Sequence, residues 1–385
     1  MPNRFEQLDS LRGLAALSVV VCHCSNLVPG IYQNSQEYWW LTSTPLNALR
    51  AGGSAVIFFF VLSGFVLALP FFKNKVSYRS FAIRRIARIW LPYVVATAAA
   101  IAMALAFYPE PVEGFGKWSN HERTWPSVSE TLQHFTLVSS FQNNTYNPVV
   151  WSLVQEMRIS LIFPVLVWVV RRFPWSYVVP GAFALSWLGA GVGSLLRHFG
   201  HESDYPITLH YVSLFLIGIL LAKHINRITE RCAKLPAWAW WLGGTLALLC
   251  YTHGDWIKPS PRLLSIAPGH DWLVMTGVVT FMVFGLTPSR FSSVLSTKPL
   301  VFLGKISYSL YLYHAILLLS ISHALHGVLP VWGIWSLVVP CSLLVATLGF
   351  FGIEKPSIWL GYQLASRASP AVSIPANRVA TVKVS

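Results

Sequence analysis

GGSAVIFFFVLSGFVLALPFF, residues 52–72, decides the fold: the run contains no charged side chain. A helix rises about 1.5 Å per residue, so a stretch of this length spans ~30 Å, the thickness of a bilayer's hydrocarbon core. The rest of the chain agrees with it. Hydrophobic residues make up 54% of the 385 positions and charged ones only 11%, with a mean hydropathy of +0.54, more apolar than a soluble core requires. Seventeen Trp and fourteen Tyr suit anchoring at the headgroup boundary. Comparable segments recur at about 10–28, 89–108, 149–170, 176–196, 206–223, 235–252, 271–287, 303–325 and 329–353. The expectation is an all-α integral membrane protein of about ten transmembrane helices, with no internal repeat and no second soluble domain.

Loop charges orient these spans. With the N-terminus cytoplasmic, the inner segments carry 21 of the 28 Lys and Arg and the outer segments six, leaving only Arg158 inside a span. That bias obeys the positive-inside rule and leaves both termini cytoplasmic. The net charge of +14 sits in short clusters between apolar segments, never on one continuous basic face, so nucleic acid is not an expected partner. Five cysteines, at 22, 24, 232, 250 and 341, are an odd number placed mostly in apolar segments, and no disulfide framework is indicated. The N-terminus carries charges of both signs and no cleavage site, and reads as a retained first helix. Residues 1–362 form the membrane domain, and 363–385 read as a cytoplasmic, disordered tail. In the longest outer loop, 127–141 fits an amphipathic helix on the membrane surface, a substrate platform or, the more common case, a plain connector.

The chemistry lies in the polar residues of the spans, because an ionisable group in lipid needs a partner or water. The first span, LDSLRGLAALSVVVCHC (residues 8–24), carries Arg12 and His23 eleven positions apart. Eleven steps of about 100° complete three turns with ~20° over, so both share one face, ~16 Å apart along the axis. In the fourth span, His23's depth is matched by Glu156, ~10 Å below the outer surface, and a carboxylate beside an imidazole is the arrangement general base catalysis uses. A histidine that merely bonds a neighbouring helix fits the same spacing. Cys22 and Cys24 point to different helix faces, so the CHC triplet cannot close on one metal ion, and no metal is expected. Ser152 shares a face with Glu156, whereas Arg158, two residues on, must find its partner elsewhere. Ser63 and Gly64 put a small polar spot in the second span, where a helix or a ligand can approach the backbone. Between the second and third spans, Arg84, Arg85 and Arg88 crowd one side of a helix, which suits either topology or a polyphosphate. The ninth span places Ser307, Tyr311 and His314 at i, i+4 and i+7, a polar stripe that faces protein or water.

Five separated stretches together resemble the integral-membrane acyltransferase 3 family: LDSLRGLAALSVVVCH at 8–23, FFVLSGFVL at 59–67, RRIARIWLPY at 84–93, WSLVQE at 151–156, and SYSLYLYH at 307–314 followed by EKP at 354–356. They run in the family's order over nearly the whole chain. The resemblance is to the stand-alone form, without a fused esterase-like domain, so no relay through a second domain is expected in this polypeptide. It implies transfer of an acyl group, acetyl by default, from cytoplasmic acyl-coenzyme A to a hydroxyl of a carbohydrate or glycolipid at or across a bacterial inner membrane. It implies no permanently bound cofactor. Arg12, His23 and Glu156 become the catalytic group and Arg84, Arg85 and Arg88 the acyl-coenzyme A contacts. Ser63, Trp151, Ser152, Arg158, Ser307, Tyr311 and His314 line the cavity. His23 either deprotonates the acceptor or carries the acyl group transiently, and Arg12 either binds phosphate or pairs with Glu354. The alternative is a saccharide or proton-coupled transporter, which also needs intramembrane His and Glu.

Overall fold

The computed structural model describes residues 5–28, 31, 36–73, 76–107, 127–141, 145–252 and 267–368. Among them there is no strand. The long helices are α1 (Glu6–Ser25), α2 (Gly52–Lys73), α3 (Tyr78–Phe107), α4 (Val150–Arg172), α5 (Trp175–His198), α6 (Tyr205–Cys232), α7 (Ala237–Thr252), α8 (Ala267–Leu286), α9 (Lys298–Leu325) and α10 (Val331–Gly349). A π-turn, Phe350–Glu354, carries α10 into α11 (Lys355–Ala368). Nine helices among the described residues are long and apolar enough to cross a membrane. The seventh expected span is the one not counted: α7 has 16 residues, ~24 Å of helix, and the segment after it lies outside the described residues. The first 19 residues of α10–α11 complete the last span, and α11 packs on α3. Residues 363–368 of the expected tail are therefore helical, and the rest of that tail lies outside the described residues.

α1, α2 and α9 make the centre of the bundle, surrounded by α3, α4, α6 and α8, with α5, α7 and α10 outermost. Burial separates the inner helices from the outermost ones: two thirds of the span is buried in α6 and α9 but about a fifth in α5 and α10 (67% against 22%). With no hydrophobic drive between helices in lipid, close backbone approach supplies the packing. Two crossings depend on it. At α1 and α9, a Cβ on Gly13 would lie 2.6 Å from Gly304 N; at α2 and α6, a Cβ on Gly218 would overlap the Val61 carbonyl and one on Gly64 that of Phe215.

The segment 127–141 departs from expectation. Ser127 and Glu130 form a reciprocal capping box, Ser127 N donating to Glu130 Oε2 at 2.6 Å and Glu130 N to Ser127 Oγ at 3.2 Å. The helix they open, Val128–Gln133, ends after one and a half turns. Beyond it the carbonyls turn to side chains of the bundle: Tyr93 OH donates to His134 O, Trp90 Nε1 to Phe135 O at 2.7 Å, and Arg158 to Val138 O and Ser139 O at 2.9 and 2.7 Å. Leu137, fully buried, turns the chain inward with a φ of 54°. The segment is a plug clasped by α3 and α4, not a surface helix.

Two outcomes follow from this packing. Replacing Gly218 by Leu must push α2 away from α6 along the backbone. It is expected to cost more than the ~1–3 kcal/mol of ordinary overpacking, read as a lower unfolding midpoint of the purified protein in detergent. Burial pushes the His134 imidazole down to about 4, with Glu130 opposing. The unfolded segment then binds the extra proton first, so the stability that His134 contributes is full at pH 7 and is lost as pH falls from about 6.5 to about 4. Hydrogen exchange over 127–141 should accelerate across that window, and the pH dependence should vanish in His134→Phe.

Candidate active site

α1 and α9 run side by side in the same sense, and two polar rungs connect them. At the first rung, Arg12 Nε donates to Ser307 Oγ at 2.8 Å and its Nη2 to Gly304 O at 2.6 Å, with Asp9 3.2 Å away. At the second, His23 Nδ1 lies 3.0 Å from His314 Nε2, and the two rings stack with centroids 5.1 Å apart. Arg12 and His23 are eleven residues apart but Ser307 and His314 only seven, an axial mismatch of ~6 Å that the length of the arginine side chain takes up. Gly13 and Gly304, at the crossing, let the two helices come close enough for both rungs.

The second rung determines a tautomer. His314 is fully buried and its Nδ1 lies 2.9 Å from Leu310 O, an acceptor only, so Nδ1 carries the proton and Nε2 the lone pair. With both rings neutral, His23 then donates from Nδ1 to His314, which leaves the lone pair of His23 on Nε2. Tyr311 sits 6.0 Å from His314, centroid to centroid, and its hydroxyl lies 2.7 Å from Ser152 Oγ, one of the two donating to the other, which in turn donates to Val149 O. The stripe Ser307, Tyr311 and His314 is thus buried throughout and faces α1 and α4.

Glu156 is elsewhere. Its Oε1 accepts from Ser63 Oγ at 2.7 Å and from Arg85 Nη2, while Arg85 Nε donates to Ser160 Oγ at 2.9 Å. The expected His23–Glu156 pairing is therefore corrected: the partner of His23 is His314, and Glu156 neutralises a buried arginine. The three guanidiniums do not converge either. Arg84 Nε bonds Ser80 O at 3.1 Å and the group lies over Tyr362 of α11; Arg85, about 100° round the helix, turns inward to α4. Arg88 is half-buried and makes no hydrogen bond or ion pair among the described residues. It faces Glu354, which the π-turn buries to 2% exposure and which accepts from Ser309 Oγ at 2.9 Å. Arg12 bonds Ser307, Gly304 and Asp9 and forms no ion pair with Glu354 among the described residues. Tyr308, donating to Ile89 O at 2.9 Å, lies amid Glu156, Glu354, Arg85 and Arg88.

Arg158 leaves the expected cavity lining. It pairs with Asp204 at 3.0 Å, lies over the Tyr205 ring at 4.3 Å and holds 138–139, so it is a clasp for the plug. Trp151 is half-buried with its ring 5.7 Å from that of Tyr211. Ser160, Tyr308 and Ser309 escaped the sequence reading because a Ser or Tyr in an apolar run carries no signal of its own. Glu354 was visible as an acid bordering a span, but its inward turn was not.

Residues 5–352 match the family described as an acyltransferase domain, acyltransferase 3, and the chain belongs to it. O-acetyltransferase OatA of Staphylococcus aureus is 24% identical over 387 residues, covering 92% of this chain and 57% of that protein. Nodulation protein 10 of Rhizobium leguminosarum bv. viciae is 25% identical over 385 residues, covering 93% of this chain and 95% of the relative. Acyltransferase MdmB of Streptomyces mycarofaciens is 29% identical over 197 residues, 50% of this chain and 46% of its own. The chain thus spans a little over half the length of OatA. No solved structure matches.

Removing Arg85 leaves the half-buried Glu156 carboxylate without its cation. Arg85→Met is expected to cost roughly 3–5 kcal/mol, and adding Glu156→Gln to recover part of that loss; a thermal double-mutant cycle in detergent reads both.

Proposed function

We propose that this protein transfers an acyl group, acetyl by default, from cytoplasmic acyl-coenzyme A to a hydroxyl of a carbohydrate or glycolipid acceptor. The observation that carries the reading is the His23–His314 dyad, whose hydrogen-bond order leaves the His23 lone pair on Nε2. Nε2 takes the proton of the acceptor hydroxyl as its oxygen bonds to the thioester carbonyl carbon. The C–S bond then breaks, and the departing thiolate takes the proton back from His23. His314 positions His23 by holding Nδ1. Family membership and the names of OatA and MdmB support acyl transfer.

The donor enters from the end that holds Arg12 and Arg88. Arg88, half-buried with no hydrogen bond among the described residues, suits a phosphate of the coenzyme, and Arg84 stands one turn further out. The ~16 Å between Arg12 and His23 is a distance that a pantetheine arm bridges. In this reading both termini are cytoplasmic, the setting is a bacterial inner membrane, and the acceptor is met at the opposite end of α1.

His23→Ala should abolish transfer from acetyl-coenzyme A, and His314→Gln should lower kcat while leaving KM for the donor within about twofold. Wild-type transfer by His23→Ala overturns the reading. Solute uptake by vesicles given no acyl donor favours a transporter instead. An acetyl group recovered on His23 after acid quench shows a covalent carrier in place of a base.

A further inference from the structure

At the far end of α1, past His23, an arginine is buried against neutral groups only. Arg50 closes the turn Pro45–Arg50 and is 9% exposed. Its Nε donates to Ser25 Oγ at 2.9 Å, Nη1 to Asn47 Oδ1 at 3.3 Å and Nη2 to Asn26 Oδ1 at 3.3 Å. No carboxylate pairs with it among the described residues. The other buried arginines among the described residues, Arg85 and Arg158, each have an acid.

The backbone supplies only part of the missing charge: the guanidinium bonds Ser25 and Asn26, which end α1, and a helix C-terminus presents about half a negative charge. A buried cation without a counter-charge is unfavourable, and three of the five N–H donors of Arg50 are used, two of them in long bonds.

The position is next to the chemistry. Asn26 follows His23 by three residues and still has helical backbone angles, so both look to one side of α1. Ser18 Oγ donates to Ala48 O at 3.1 Å, tying the 45–50 turn to the same helix. We infer that Arg50, with Asn26 and Asn47, is the recognition point for an oxyanion, a phosphate or a carboxylate, carried by the acceptor. This rests on the acyl-transfer reading for the identity of the ligand as acceptor. The remaining fork of the guanidinium takes the oxyanion, completes the charge balance, and sets the acceptor hydroxyl beside His23.

The test uses the full chain purified in detergent, with thermal unfolding followed by Trp fluorescence against inorganic phosphate, glucuronate, glucose and coenzyme A. Either anion should raise the wild-type midpoint and glucose should not; the stronger anion identifies the group. Arg50→Gln should lose the anion-dependent rise yet keep that of coenzyme A, and Arg88→Gln should do the reverse. The inference is overturned by a wild type indifferent to both anions, or by an Arg50→Gln protein that is less stable but responds to anions as wild type does. Should Arg50→Gln not fold, Arg50→Lys keeps the charge without the fork and should need roughly tenfold more anion; an unchanged requirement overturns the inference. Failure of coenzyme A to stabilise any form counts against the donor reading alone.

Discussion

Inside a bilayer a polar atom finds no water, so each must be answered by another group of the protein, and the pairing of α1 with α9 meets that constraint. Arg12 bonds Ser307 and Gly304, and His23 meets His314. Neither contact forms unless the helices nearly touch, which is why Gly13 and Gly304 stand where any Cβ would strike backbone. The rest of the bundle is arranged around that contact. α2 and α4 bring Ser63 and Glu156 against Arg85, and the π-turn after α10 brings Glu354 under Ser309.

These contacts separate two environments along one helix. Near the Arg12 end lies a charged cluster, Arg85 with Glu156 and Arg88 facing Glu354, with Tyr308 between them. At the level of His23 the groups are neutral, the two imidazoles, Tyr311 and Ser152, and Arg50 lies beyond them at the end of the helix. In the proposed reading the charged donor is handled at one end and the hydroxyl activated at the other. Fixed hydrogen bonds hold the imidazole in one tautomer, which under the proposed mechanism leaves no reorganisation for the reaction itself.

Much of the fold was legible in the sequence, because apolar length is a local property. The shared face of Arg12 and His23, and the stripe Ser307, Tyr311 and His314, followed from the 3.6-residue repeat alone. Arg158 was recognised as unable to serve Glu156, since two residues turn a helix through about 200°. The limits were also those of local information. Depth along a span is one coordinate, and it made His23 and Glu156 look like neighbours when they stand on different sides of the bundle's polar interior. Helical spacing placed Arg84, Arg85 and Arg88 on adjoining positions, yet the packing of α4 and α11 drew two of them apart.

By itself, then, the sequence determined an all-α membrane bundle, the family, and which polar residues the membrane would force to find partners. Only the tertiary structure decided who the partners are. His314 for His23, Arg85 for Glu156 and the backbone of 138–139 for Arg158 are choices made by the rotation of each helix about its axis, and that angle is set by glycine contacts between helices far apart in the chain. No periodicity within one helix encodes it.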